Sequence, residues 1–313
     1  MHSVTTIEGV CRLTDRGLIR ASGPDAAAFL QGQLTNDVLT LSEDTARLAG
    51  FCSAKGRLQA SFVVWKAADG DFLMMCTADL LVPTLKRLSM FVLRAKCKLS
   101  DATQEIELHG VAGASAQALL GNASGWQTRS NGAGTVVALP DAAGVRRCIV
   151  AMPAATPSGI VDAPALPLDT WRWLDVQSGI VTIEAATVDR FVPQMVNFEL
   201  VGGVDFQKGC YPGQEVVARS QYRGTTRRRT FLFDCETTPV AGQDVFVAGD
   251  AGEAAGTVAN AAPRPGGTGG SALVEVRLAA VASDDLCLGS PSGPRLHRVE
   301  LGYRVPLEPE PAT

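Results

Sequence analysis

The sequence predicts an α+β protein with more than one lobe, closed by a small all-β domain. Three observations carry this. A short apolar strand leads through a glycine into a helical pattern twice, over residues 17–34 and 106–120. Strand and helix periodicities then interleave up to about residue 229. From Thr230 onward the pattern changes to short alternating strands separated by turn residues, as in a closed β domain. With 313 residues, 46% of them hydrophobic, the chain can build two or three cores.

In order, residues 17–22 read as a strand, and Gly23-Pro24-Asp25 opens a helix with proline early and an acid in the first turn. Ala26, Phe29, Leu30 and Leu34 follow at helical spacing, and Gly32 weakens the end. The cluster Gln31, Gln33, Thr35, Asn36 and Asp37 at that end can cap backbone groups or read a heteroaromatic ligand. Residues 48–64 form two strands joined at Ser53-Ala54-Lys55-Gly56-Arg57. Another strand is expected over 72–76, a helix over 78–93, and strands over 96–99 and 105–108. Residues 113–120 repeat the spacing of 23–30, by duplication or by coincidence in an alanine-rich sequence.

Four prolines among small residues make 151–167 an irregular connection. A helix resumes at 171–176, ending near Gly179, with Asp169 or Thr170 as its N-cap. In the last domain, strands are expected at 231–233, 244–247, 255–258 and 272–278, with a flexible loop over 261–270. Residues 283–298 carry no assignable pattern, and 306–313 read as a loose tail.

The 28 basic and 32 acidic side chains give a net charge of −4, which excludes a surface basic throughout and leaves room for a local basic face. Eight cysteines lie more than twenty residues apart with no Cys-x-x-Cys pair, so no bound zinc or cluster is expected. Three histidines leave little material for a triad. No stretch runs eighteen apolar residues, and the start lacks a basic region followed by an apolar core; a cytoplasmic, thiol-reduced monomer without membrane contact is expected.

The stretch most loaded with chemistry runs from Asp205 to Arg219. Pro212-Gly213 suits a type II turn, because proline presets φ and glycine supplies the positive φ that follows. A helix is expected from Gln214, with Glu215 in its first turn and Arg219 further along. Cys210 then stands beside a helix start with Lys208 two residues away, two reasons for its thiol to ionise more easily than a free cysteine. These two are the candidate catalytic residues. Arg219, Arg223 and Arg227 would form a one-sided basic edge if helical, and otherwise pair with surface acids.

Lys208-Gly209-Cys210-Tyr211-Pro212-Gly213-Gln214-Glu215 resembles the K-G-C-Y-x-G-Q-E signature of the YgfZ-type folate-binding proteins, relatives of the glycine-cleavage aminomethyltransferase. The resemblance extends to Arg190-Phe191-Val192-Pro193-Gln194-Met195-Val196-Asn197, to Gly23-Pro24-Asp25-Ala26, to the block from Phe29 to Val38, and to Lys55-Gly56-Arg57. It covers roughly residues 17–230. It implies an aminomethyltransferase-like ring of two α+β lobes and a C-terminal β-barrel around a hollow that holds a reduced folate. The expected division is 1–50 with 168–229 as the first lobe, 51–150 as the second, 151–167 as linker and 230–313 as barrel. Lys208, Gly209, Cys210, Tyr211, Gly213, Gln214 and Glu215 carry over as the signature loop. Gln33, Asn36, Asp37, Gln194, Asn197, Arg219 and Arg223 are candidates for folate binding, since a pterin edge can be read by amides or a carboxylate and its glutamate tail needs cations.

The resemblance therefore implies a folate-binding accessory factor, taking tetrahydrofolate or a derivative, that supports iron-sulfur client enzymes and tRNA thiolation, rather than a conventional enzyme. One alternative is a folate-dependent aminomethyltransferase of the glycine-cleavage type. Another is a non-catalytic RNA-binding module acting through residues 223–229, with a weak nucleic-acid contact.

Overall fold

The computed structural model describes residues 7–132, 134–155, 162–222, 226–250, 252–283 and 285–307. β1 (Gly9–Arg12) and β2 (Arg16–Ser22) are consecutive yet belong to different sheets, so the chain links two lobes within its first strands. After β2 come α1 (Ala26–Gln31), the hairpin β3 (Ala46–Cys52) and β4 (Leu58–Lys66), then β5 (Phe72–Thr77), α2 (Ala78–Val92) and β6 (Lys98–Asp101). These strands make an antiparallel sheet in the order β3-β4-β5-β2-β6. Strands β4 and β5 are buried almost continuously because both faces are covered. Phe62, Val64, Phe72 and Met74 face a core shared with α1 and α2, while the alternate Val63, Trp65, Leu73 and Met75 face the other lobe.

The second sheet is built from β7 (Ile106–Ala112), β8 (Thr128–Asn131), β9 (Gly134–Ala138) and β10 (Arg147–Pro153) together with β1, in the order β1-β7-β10-β9-β8. α3 (Ala114–Leu120) covers its outer face through Ala116 and Leu120, which pack on Val111, Cys148 and Val150. Leu108 and Ile149 join the core between the sheets. α4 (Leu168–Gln177) inserts Trp171 into that core; a Cβ on Gly110 would lie 2.5 Å from the indole, so β7 needs glycine there.

The sheets correct the expected division. A boundary between residues 50 and 51 would cut β3, which cannot leave β4 because seven register pairs join them. The first lobe's sheet instead runs over residues 16–101, and the second takes β1 and residues 106–153. The expected linker shrinks, since residues 151–153 finish β10 and Ala165 bridges Val10. Strands β8, β9 and β10 are additional to the expected elements; β9 and β10 carry Val-Val and Ile-Val runs that suit a strand, whereas β8, Thr-Arg-Ser-Asn at the sheet edge, has no apolar alternation to read. The N-cap of α4 is Pro167, with Asp169 inside the first turn.

Residues 168–222 thread between the lobes and the barrel through α4, two 3-10 turns (Ala185–Thr187 and Pro193–Val196) and α5 (Gln214–Tyr222). β11 (Arg228–Cys235), β12 (Asp244–Val247), β13 (Gly256–Pro263), β14 (Gly270–Arg277), β15 (Leu286–Leu288) and β16 (Arg295–Val299) close a barrel in the order β11-β14-β13-β12-β15-β16, with α6 (Leu278–Val281) after β14. Pairing with β14 extends β13 to Pro263, so the expected loop narrows, and the unassigned 283–298 stretch supplies β15 and β16. Among the described residues no helix is long and apolar enough to cross a membrane.

Asn197, fully buried with φ 58°, fastens this threading segment to the barrel: its Nδ2 donates to the Thr230 carbonyl at 2.7 Å. Asn197→Ala should lower stability by about 1–3 kcal/mol, combining a lost buried hydrogen bond with a residue less tolerant of left-handed φ. Urea unfolding checks this; an unchanged midpoint would contradict it.

Candidate functional site

The signature loop is built by its own polar groups. Asp205 Oδ1 accepts from the amides of Gln207 (2.7 Å) and Lys208 (3.2 Å), folding the chain back on itself. Lys208 is 7% exposed, and its ammonium donates to the carbonyls of Gln31 and Leu34 at the end of α1 while standing 5.0 Å from the Tyr211 ring centre. Burial lowers its pKa from 10.5 to about 8, against the pull of Asp37, Asp205 and Cys210. Lys208 thus works as an anchor holding the loop onto α1. Tyr211 is buried and completes that anchor, and burial raises the pKa of its phenol.

Beyond the anchor, the chain turns at Pro212-Gly213 as expected, with Gly213 at φ 78°. A Cβ there would sit 2.4 Å from the Ser53 carbonyl oxygen and 2.5 Å from Gly56 Cα. Gly56 is equally confined, by Val216 and the Gly213 carbonyl. Two motifs separated by more than 150 residues in sequence therefore meet backbone to backbone. Arg57 donates to the carbonyls of Asp189 and Arg190, and Leu58 N to Phe191 O at 2.8 Å, so the third motif is stitched to the same hairpin tip.

Cys210 is exposed at the bend, alongside exposed Gly209, and Glu215 is exposed on α5 with Gln214 half-buried. The helix-start amides expected to face the thiol are engaged elsewhere: Gln214 N bonds Tyr211 O, and Val216 N and Val217 N bond Gly213 O. With the Lys208 ammonium also turned to α1, the sulfur stands in the open rather than in a charged niche.

The expected folate ligands fall mostly to structural work. Asn36 Nδ2 donates to Leu48 O (2.7 Å) and Gly202 O (2.6 Å), and Asp37 Oδ1 accepts from Thr40 N. Gln194 is fully buried and donates to Val217 O at 2.8 Å; Asn197 holds Thr230. The Gln33 Oε1 is buried without a hydrogen-bond partner. Arg219 is exposed on α5, and Arg223 lies outside the described residues. Arg227 stands beyond the end of α5, so the helical basic edge does not continue to it. Arg228 and Arg229 are paired with Glu275 and Glu199.

A hollow of about 530 Å³ lies elsewhere, between the first lobe, α4 and the barrel. Its walls carry Asp15, Arg16, Arg172, Asp175, Glu184 and Asn260, none of which the sequence singled out as ligands. A smaller recess shares Arg16 and Asp175 with it and reaches Arg147 and Trp171 in the second lobe and α4. Asp175 accepts from Arg16 at 2.7 Å and from Arg147 at 2.5 Å, and Arg172 Nε reaches Asp15 at 2.8 Å. Burial works against the Arg16 charge, but Asp175 and Asp15 outweigh it and hold its pKa above the usual value. Burial raises the Glu184 carboxyl, partly offset by a hydrogen bond from Asn260 Nδ2 at 2.6 Å. Asp15 Oδ1, behind the same wall, is buried without a hydrogen-bond partner. No local pattern could have found this set, because its members come from separate elements.

Comparison with known proteins agrees with this fold. A family model described as GCVT N-terminal domain matches residues 1–150. Over 98% of this chain and 88% of the other, the fold matches the glycine cleavage system aminomethyltransferase T of Bartonella henselae, with a TM-score of 0.71 at 15% identity. The architecture is thus aminomethyltransferase-like, two α+β lobes with a closed six-stranded barrel. Among curated relatives, the tRNA-modifying protein YgfZ of Edwardsiella ictaluri is 36% identical over 262 residues, covering 79% of this chain and 78% of that protein. The YgfZ of Escherichia coli O127:H6 is 31% identical over 246 residues, 74% of each. The chain belongs to the YgfZ family.

Two outcomes follow for the loop. Gly213→Ala should cost about 2 kcal/mol or more, because positive φ and contact with Ser53 and Gly56 are both violated; thermal unfolding reads it, and wild-type stability would refute the packing. Because the folded chain holds the Lys208 proton less tightly than the unfolded chain, the residue's contribution to stability should grow as pH rises from about 8 to 10.5 and be lost on the way back down. Urea midpoints of wild type and Lys208→Met across that window should diverge in that direction; parallel curves would be inconsistent with it.

Proposed function

We propose that this chain is a folate-binding accessory factor in tRNA modification, with reduced folate held in the hollow between the first lobe, α4 and the barrel, and with Cys210 presented to an iron-sulfur client enzyme. The observation that carries the reading is the set of polar groups on the walls of the hollow. The half-buried Glu184 carboxyl is an acceptor suited to the amino and ring N–H groups of a pterin edge. Arg172, 42% exposed at the wall, supplies a cation for the glutamate tail. A hollow of about 530 Å³ falls in the range of small-molecule sites. Bound reduced folate would supply one-carbon chemistry; the chain's own residues bind and orient it, and Asn260 holds the Glu184 carboxyl in place.

The name of the relatives supports the tRNA-modification part, and the exposed sulfur at a rigid bend supports a role in contacting a client. The hollow and the signature loop are separate surfaces, joined through the hairpin β3–β4: its tip holds the loop, and Ser61, on β4, lines the recess beside the hollow.

Calorimetry with tetrahydrofolate and its formyl derivative tests the ligand. The wild type should release binding heat, and Glu184→Gln should bind at least about tenfold more weakly, since one charge-assisted hydrogen bond is exchanged for a neutral one. No heat with either folate would remove the ligand, and an unchanged affinity in the variant would remove the hollow as its site. Folate-dependent ammonia release from an aminomethyl carrier protein would instead establish an aminomethyltransferase.

A further inference from the structure

From Leu80 to Ser100 the sequence contains no acidic residue, in a protein of net charge −4. This segment covers most of α2 and the start of β6. Lys86, Arg87, Arg94, Lys96 and Lys98 are all exposed, and none lies within ion-pair distance of a described carboxylate. The nearby Asp25 carboxylate is taken by the Lys96 backbone amide at 2.6 Å.

The apolar residues among them are as unusual. Val82, Met90 and Leu93 are 69%, 68% and 87% exposed, and Phe91 is 43% exposed. Leu93 holds φ 45° at the end of α2, a conformation costly for a leucine, while standing largely in solvent. Helical spacing sets these side chains in two outward rows, Val82-Lys86-Met90 and Pro83-Arg87-Phe91. In each row a cation stands between two apolar groups. Insertion into a bilayer would drag Lys86 and Arg87 in with their neighbours, so the pattern disfavours a membrane. Phosphates bridged by cations, with a base against an aromatic ring, fit it.

We infer that the outer face of α2 with the start of β6 is an RNA-docking surface, taking phosphates on Lys86, Arg87, Arg94, Lys96 and Lys98 and a base on Phe91. It is offered in place of the expected contact through residues 223–229, where Arg228 and Arg229 are paired with acids. The inference stands on this surface and does not require folate in the hollow.

Filter binding of bulk tRNA to the full chain tests it. The wild type should bind with a log–log salt slope of roughly −3 to −4, as four or five neutralised phosphates demand. Lys86→Glu/Arg87→Glu should weaken binding about tenfold or more, and Phe91→Ala severalfold at high salt, whereas Arg298→Glu, a single charge reversal on an exposed barrel residue, should leave it intact. Folate binding heat of the double variant should equal that of the wild type. Absent tRNA binding, equal losses in the Arg298 control, unaltered binding in both patch variants, or patch-dependent binding to phosphatidylserine vesicles in place of tRNA would each overturn the proposal.

Discussion

One carboxylate ties the molecule together. Asp175, on α4, accepts Arg16 from the first sheet and Arg147 from the second, and both guanidiniums are nearly buried. Buried pairs seldom add much net stability over apolar packing, but removing one partner leaves a charge with no water to solvate it. The two lobes and α4 are therefore held in one relative arrangement, and that arrangement defines the hollow. The Arg16-Asp15-Arg172 extension of the same network reaches the wall that the barrel completes with Asn260.

The signature loop rests on a different device. A buried lysine bonded to two carbonyls, a buried tyrosine and two glycines in contact fix the path of the chain from both sides of Cys210. The loop's polar composition suggests a reactive centre, yet most of it is scaffolding for one exposed sulfur. Rigid display of a thiol is compatible with contact to another protein, for which a preordered loop loses little conformational entropy on binding.

The elements legible from residues alone were those with local causes. The helix after Gly23-Pro24-Asp25, the five-residue hairpin tip around Gly56 and the Pro212-Gly213 turn all lie where their φ preferences put them. Strands β8, β15 and β16 were not legible, since segments of three to five residues take their conformation from the strands they pair with. The amides Asn36, Gln194 and Asn197 were legible as special residues, but not which groups they serve: capping a backbone carbonyl and reading a ligand need the same side chain.

By itself the sequence determined the family, the α+β lobes with a closing barrel and the bend that displays Cys210, because turn chemistry and an eight-residue signature are local in the chain. Only the tertiary structure decided where the hollow is, that Lys208 faces inward, and that, among the described residues, Arg228 and Arg229 are paired while Lys86 and Arg87 of α2 are not. Those facts depend on which distant groups come within hydrogen-bonding or ion-pairing range, and burial and pairing are properties of the packed chain rather than of any segment of it.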